Sequence, residues 1–355
     1  MRTIHPQGLD AIGLARRPNG AAITSPVTLT DVAARAGVSI ATASRALAGK
    51  PRVSQEMIVR VREIAEEMGY RVNPMARALR DGSSRLVGMV VPVIGIPFYA
   101  RLVDAVEEEL NRAGYELLLA DSHGFVEEET RRLQVLRDRR VDGVILIPSD
   151  RRKTATSMRS LGGDIAVVQV DRATDKPLAD FVGVDNLVGL GLVVEHLAER
   201  GVSTIAYAGT DDASSNGVER WAAVQQLAAD HEMTITSSFR SEFSIAAGAA
   251  AADAILAAGP LADAVVASSD QIAVGLISRL REKGFDVPRD TLVTGFDGGE
   301  LADVYWPTLT TVVQPVAAIA ADAVTFLLAR MAKHDGAVRR NTLAPLLQVG
   351  ASTGG

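Results

Sequence analysis

One change of period divides this sequence. From Val27 to Gly82 the apolar residues recur at helical spacing in short segments broken by glycine; then Leu86-Val87-Gly88-Met89-Val90-Val91 runs without a polar interruption. Such a run marks a strand buried on both faces, and that requires helices on both sides of a mainly parallel sheet. Further strands are predicted at 116–120, 143–147, 165–170, 181–184, 204–208, 264–267 and 291–295, mostly alternating with helices such as 99–113 and 127–139. The pattern dictates a doubly wound α/β body over residues 85–355, long enough for two subdomains. They are expected at about 85–184 with 314–345, and at about 185–313.

The segments before the change read differently. Residues 1–26 have no period and carry Pro6, Pro18, Asn19, Gly20 and Pro26, so a disordered tail is expected. Thr28 is placed to cap a helix, with Asp31 reaching back as a short-armed capping box. Val32, Ala33 and Ala36 give that helix one small apolar face, and Gly37 ends it. Ser39 caps a second helix over 40–48, and a third follows Ser54 to Met68. Helix, short glycine turn, helix is the helix-turn-helix arrangement, predicted over 27–72. Asn73-Pro74 then opens a two-turn helix that ends before Asp81-Gly82, giving a hinge over 73–84. A helix that short is marginal alone and is expected to fold only when supported.

Composition removes several classes. The 355 residues include no cysteine, which excludes a disulfide-stapled fold, a thiol nucleophile and cysteine-ligated zinc. His5, His123, His196, His231 and His334 form no metal-binding pair, and no cofactor is expected. The first twenty residues lack the apolar run of a signal peptide, and no window has the length of a membrane span, so a cytoplasmic chain without a membrane partner is expected. There is no G-x-S-x-G elbow and no P-loop. The runs at Glu107 and Glu127 read as solvated helix faces, Trp221 as a core aromatic and His196 as structural.

The net charge of −6 seems to argue against nucleic acid, but it is unevenly distributed. Residues 27–85 carry ten basic and six acidic side chains, a formal +4, and the tail adds +2, which leaves −12 on the rest. A cationic module on an acidic body is the split of a nucleic-acid reader on a ligand-binding chassis. Spacing alone also fits an ordinary αα-hairpin. The second helix favours the reader: it has few large apolar side chains and carries Thr42, Ser44 and Arg45, types that bond phosphates and base edges. Arg45 can donate a bidentate pair to guanine, and Ile40 and Ala41 can pack on a thymine methyl. In isolation Arg45 would read as a solvated charge.

These residues carry a resemblance. Thr28-Leu29-Thr30-Asp31-Val32-Ala33, Gly37-Val38-Ser39, Ala41-Thr42-Ala43-Ser44-Arg45-Ala46-Leu47, Val53-Ser54 and Met68-Gly69-Tyr70 are similar to the DNA-binding headpiece of the lactose-repressor family. The similarity continues in Ala76-Arg77-Ala78-Leu79-Arg80, Pro97-Phe98-Tyr99, Val141-Asp142-Gly143, Val170-Asp171-Arg172, Gly295-Phe296-Asp297 and Leu309-Thr310-Thr311-Val312, covering nearly everything from 27 to about 350. The resemblance implies that Ile40, Ala41 and Arg45 meet base edges. It assigns Thr28, Ser39, Thr42, Ser44, Ser54, Tyr70 and Asn73 to phosphate contact or helix positioning, and makes Leu79 a minor-groove wedge. Two positions depart from the pattern: Ala48 stands where asparagine is common, and Val72-Asn73-Pro74 shifts the proline to the helix start.

For the body the resemblance implies two subdomains closing on a small effector, similar to periplasmic sugar-binding proteins. Asp297 is expected to accept hydrogen bonds from the ligand, the alternative being a turn aspartate. Phe98 and Tyr99 can stack on a ring, and Ser149, Asp150 and Arg172 end other strands. The clamp arginine of many members falls in Ser214-Ser215-Asn216-Gly217, where there is none, leaving Asn216; Ser269 replaces an expected asparagine. A neutral sugar or polyol is therefore expected. The expected whole is a homodimeric repressor on a pseudo-palindromic double-stranded operator, without a tail-built tetramer. A sugar-binding protein without DNA function and a sugar-metabolising enzyme are the alternatives.

Overall fold

The computed structural model describes residues 27–49, 53–71, 83–332 and 336–354. The expected tail 1–26, the residues Asn73 and Leu79, and the short helix over 73–80 lie outside the described residues. The chain divides into two units between Arg80 and Asp81.

The first unit holds α1 (Leu29–Ala36), α2 (Ile40–Leu47) and α3 (Gln55–Glu67). Thr28 caps α1 in a full capping box with Asp31, Ser39 caps α2 and Ser54 caps α3. Gly37 ends α1 at φ 67°, a left-handed backbone that glycine adopts without a side-chain clash. The core is Val32, Ala33, Ala36, Ala43, Ala46, Ile58, Val61 and Ala65. Five of these eight are alanine, so the helices approach closely but bury little apolar area per residue.

In the second unit the chain forms β1 (Leu86–Val91), α4 (Pro97–Arg112), β2 (Glu116–Asp121), α5 (Val126–Asp138), β3 (Gly143–Leu146), α6 (Thr154–Arg159), β4 (Ala166–Val170) and β5 (Asp180–Val184). It continues with α7 (Asn186–Glu199), β6 (Thr204–Thr210), α8 (Ser215–Asp230), β7 (Thr234–Ser241), α9 (Ile245–Ala258) and β8 (Ala264–Ala267). Then come α10 (Asp270–Glu282), β9 (Leu292–Asp297), α11 (Glu300–Val304), β10 (Thr310–Val313), α12 (Val316–Met331), β11 (Arg340–Leu343) and β12 (Leu346–Gln348).

The strands make two six-stranded sheets, ordered β11-β5-β4-β3-β1-β2 and β12-β10-β9-β8-β6-β7. Every pairing is parallel except β12 with β10. The chain passes between the sheets three times: after β5, after β10 and after β11. The third passage was not expected: residues 346–348 return to the second sheet, beyond the boundary drawn from sequence near 345. Each sheet reverses its strand order once, between β1 and β3 and between β6 and β8. In open α/β sheets ligands bind outside the strand C-termini at such switch points. Among the described residues no helix is long and apolar enough to cross a membrane, and no group of three or more acidic or histidine side chains is arranged to hold a metal ion.

Candidate functional site

Two regions gather the polar residues singled out in the sequence. In the first unit, α2 buries Ala43 and Ala46 and leaves Ile40, Ala41 and Arg45 exposed, with Thr42 and Ser44 half-buried. Ile40 is 50% exposed, one of several large apolar side chains left at the surface. The cap hydroxyls are partly engaged: Ser39 Oγ accepts from the Thr42 amide at 3.1 Å and lies 2.9 Å from Thr42 Oγ1. Thr28 Oγ1 donates to Asp31 Oδ2 at 2.7 Å, and hydrogen bonds from the Thr28 side chain and amide hold the Asp31 carboxyl below its ordinary range. Ser54 Oγ accepts from the Met57 amide at 3.3 Å. Tyr70 packs half-buried on the three-helix core, so its ring also supports the fold.

In the second unit a chain of hydrogen bonds runs between the subdomains. Asp171 follows β4 at φ 65°; its Oδ2 accepts from Tyr99 Oη at 3.2 Å and its Oδ1 from Asn216 Nδ2 at 3.0 Å. Asn216 Oδ1 faces Asn186 Nδ2 at 3.2 Å, and Asn186 Oδ1 accepts from Arg220 Nε at 2.8 Å. Arg220 Nη1 donates to the Ser268 carbonyl at 2.6 Å and lies 3.9 Å from Asp297 Oδ1, which accepts from Gln314 Nε2 at 2.8 Å. Tyr99 comes from the first subdomain, Asn216, Arg220 and Asp297 from the second, and Asn186 and Gln314 from the first two crossings. The site is therefore built into the hinge.

Local sequence explains the placement. Asn216 and Arg220 are four residues apart, on one face of α8. A Cβ on Gly217 would come within 2.2 Å of the Asp211 carbonyl, so only glycine lets α8 begin that close to the preceding loop. Arg220, 1% exposed, stacks its guanidinium 3.6 Å above the Phe296 ring centroid. Burial pushes Asp297 up to about 7, with Arg220 pulling down and the Asp270 and Asp171 carboxylates adding to the rise. Burial likewise raises Asp270, to about 6, although Thr311 Oγ1 and the Gly298 amide donate to it. Arg101 on α4 reaches across to the carbonyls of Asp297 and Gly298, both at 2.7 Å.

Arg172 is buried between aromatic faces, its guanidinium carbon 5.7 Å from the Tyr99 centroid and 5.0 Å from that of Phe243. Several buried polar atoms here have no hydrogen-bond partner within the chain, among them Arg101 Nε, Gln314 Oε1 and Arg172 Nε, the last lying 3.8 Å from Asp171 Oδ2.

Of the residues expected here, Tyr99, Arg172, Asn216 and Asp297 are brought together. The others are engaged elsewhere. Phe98 lies in the core of the first sheet. Ser149 pairs with Ser122 Oγ at 2.9 Å and donates its amide to the buried Glu129 at 2.8 Å. Asp150 accepts the amides of Arg152 and Lys153, both at 2.8 Å, and so caps its own turn. Ser269 caps α10. Trp221 lies against Tyr207 at 5.0 Å, and His196 Nε2 is 2.8 Å from Thr353 Oγ1, both structural placements. Sequence reasoning missed Asp171, Asn186, Arg220, Arg101 and Gln314. The loop 214–217 indeed has no arginine; the guanidinium facing Asp297 comes from one turn further along α8. Strand β9 also extends two residues past its expected end, making Asp297 its last residue, at φ 112°.

Residues 28–73 match the bacterial regulatory proteins of the lacI family, and residues 194–353 match the periplasmic binding protein-like domain. The HTH-type transcriptional repressor PurR of Vibrio atlanticus is 32% identical over 314 residues, covering 87% of this chain and 93% of that one. The ribose operon repressor of Halalkalibacterium halodurans is 31% identical over 306 residues, covering 86% and 91%. Among solved structures, a complex of the transcriptional regulator CelR with cellobiose has a TM-score of 0.70 at 28% identity, over 92% of this chain and 99% of that one. The lac repressor dimer bound to operator and the anti-inducer ONPF shares the fold, with a TM-score of 0.84 at 24% identity over 93% and 99%. The chain belongs to the lacI family of bacterial regulatory proteins, DNA-binding transcriptional repressors rather than enzymes, with a periplasmic-binding-protein-like body.

Proposed function

We propose that this chain is a cytoplasmic, homodimeric repressor whose hold on a pseudo-palindromic operator is set by a small neutral polyhydroxylated effector, a sugar or polyol, bound between the two subdomains of the body. The observation that carries the effector class is the ring of groups around Asp297. Asp297 and Gln314 Oε1 offer acceptors, and Arg172 offers donors beside aromatic faces. Each hydroxyl of a sugar donates and accepts at once, so such a ligand can bond acceptors and donors alike. The names of two similar proteins lean the same way, one a ribose operon repressor and the other solved as a complex with cellobiose.

In this reading Ile40, Ala41 and Arg45 meet base edges. Thr28, Ser39, Thr42, Ser44, Ser54 and Tyr70 contact phosphates or hold the helices that do. Residues 27–71 are the reader, and the body from 85 onward takes the effector and pairs with a second copy.

Two experiments test the proposal. Mobility-shift titration on genomic fragments should show a fragment bound well above bulk DNA, with affinity falling steeply as salt rises; no preference or no salt slope overturns the repressor reading. A thermal-shift screen against pentoses, hexoses, disaccharides, polyols, purine bases and nucleosides should find its hits among the sugars or polyols. A ligand at a hundred times its Kd adds about 2.7 kcal/mol of stability. Stabilisation by purines alone overturns the effector class and leaves the repressor reading intact.

A further inference from the structure

Where the described chain enters the body it is heavily bonded. Asp142, the residue before β3, accepts four hydrogen bonds from Ser83, Ser84 and Arg85: Ser83 Oγ and the Arg85 amide on Oδ2, the Ser84 amide and hydroxyl on Oδ1, at 2.5–2.9 Å. Its own amide donates to the Leu86 carbonyl at 2.8 Å. Arg85 stands at φ 58°, a left-handed backbone that a non-glycine residue keeps only where its surroundings hold it. Its guanidinium lies over the Tyr115 ring at 5.1 Å. One carboxylate thus fixes the three residues through which the chain enters β1.

The opposite end of β3 leads to the other subdomain. From Asp142 the chain runs through β3, paired on both sides by β1 and β4, to the turn after Ser149. There the Arg151 amide donates to the Ala213 carbonyl and its Nε to the Asp212 carbonyl, both at 2.8 Å, in the loop between β6 and α8. At about 3.3 Å per residue the strand and its extensions span on the order of 25 Å. β3 is thus held on both sides, with the subdomain contact beyond one end and the carboxylate at the other.

We propose that Asp142 is a positioning residue for DNA binding: it fixes the root of the linker to β3, so that rearrangement between the subdomains is delivered to the linker rather than lost in slack chain. The proposal rests on the repressor reading above. Among the described residues, the hydrogen bonds of Asp142 go to Ser83, Ser84, Arg85 and Leu86, none of them assigned to DNA or effector.

The test uses the full chain and three variants, Asp142→Asn, Asp142→Ala and Ser83→Ala with Ser84→Ala. Asp142→Asn keeps the size and one acceptor oxygen, in case Asp142→Ala fails to fold. Cleavage after Arg85 by trypsin, under conditions where opening is fast, should accelerate about tenfold in Asp142→Asn and more in Asp142→Ala, with the serine pair between wild type and Asp142→Asn. Affinity for the fragment the wild type selects should fall about tenfold or more, while affinity for bulk DNA stays within about twofold. A purely structural role would leave that ratio unchanged. Wild-type cleavage after Arg85 in Asp142→Asn overturns the clamp, and an unchanged affinity ratio in a variant that is cut faster overturns its role in DNA binding. If the wild type selects no fragment, the repressor reading fails, and cleavage alone decides the clamp.

Discussion

Helix α2 and the cleft above Asp297 treat their polar residues in opposite ways. The helix leaves Ile40, Ala41 and Arg45 exposed, and its cap Ser39 bonds no further than the helix's own first turn. The cleft buries Arg220 and ties it by hydrogen bonds through Asn186 and Asn216 to Asp171, with Asp297 3.9 Å from Arg220 and bonded in turn by Gln314. The first arrangement suits a partner that brings its own charge and shape, because exposed groups need no partner until contact. The second suits an enclosed ligand, because most of its groups are held in place before the ligand arrives. Substitutions should therefore damage stability in the cleft and affinity on the helix.

The largest effects are expected in the cleft. Arg220→Ala removes a buried cation and strands Asp297 and Asn186, which should lower the stability of the body by about 3–5 kcal/mol in chemical denaturation. A loss below about 1 kcal/mol would mean that the network relaxes around the gap. The same carboxylates give a pH signature. Asp297 and Asp270 are raised to about 7 and about 6, while in the unfolded chain they titrate near 4. Between those values the folded chain holds protons that the unfolded chain has released, so stability should fall as pH rises from about 4 to about 7. Asp180 works in a different window. Burial opposes its ionisation, but hydrogen bonds from Arg330 and Arg339 outweigh burial and hold it at about 2. Its contribution is full above about 4 and is lost as pH falls through about 2. Asp297→Asn should flatten the slope on the neutral side; an unchanged slope would remove Asp297 as its source.

Arg101 sharpens the comparison, because it is a charged side chain that joins the two subdomains across the cleft. Arg101→Ala deletes two charge-assisted bonds to the carbonyls of Asp297 and Gly298, each typically about 1.5–3 kcal/mol. The expected readout is faster amide exchange at Gly298 and Gly299, whose N–H groups donate to Asp270 in the same loop. Protection equal to wild type would show that the loop is held by Asp270 alone.

On the helix the effect should move from stability to affinity. Arg45→Ala is expected to leave the melting of either unit unchanged, while roughly 1–3 kcal/mol of affinity is lost for the selected fragment and bulk DNA is bound as before. Equal losses on both DNAs would make Arg45 a phosphate contact.

The parts legible in the sequence are those that depend on local rules. The caps at Thr28, Ser39 and Ser54, the stop at Gly37 and the long apolar runs each announce themselves within a few residues. The four strands that sequence reasoning did not name are β7, β10, β11 and β12. Strand β7 lies at a sheet edge with alternating exposure, and β11 and β12 are short edge strands with little buried surface to mark them. The cleft was half legible. Asp297 and Arg172 end apolar runs, as Asp171 and Gln314 also do, but nothing local tells a ligand group from a turn residue. Arg220 was illegible because an arginine on a helix reads as solvated. Only tertiary packing, which sets Phe296 and Asn186 around it, reveals it as the most deeply buried charge of the site.

The smallest expected effect tests the comparison where its two sides meet. Ser39 is both the cap of α2 and a residue assigned to phosphate contact, so its removal should register in both measurements. Ser39→Ala takes away the acceptor for the Thr42 amide, and such losses typically cost about 1 kcal/mol of stability. Ser39→Asp supplies an equally good cap with a negative charge at the helix N-terminus. Stability should therefore return in Ser39→Asp while affinity for any DNA drops further, since the new carboxylate would face phosphate. If both properties recover together, Ser39 acts on DNA only by holding α2 in shape, and the reading surface narrows to Ile40, Ala41, Thr42, Ser44 and Arg45.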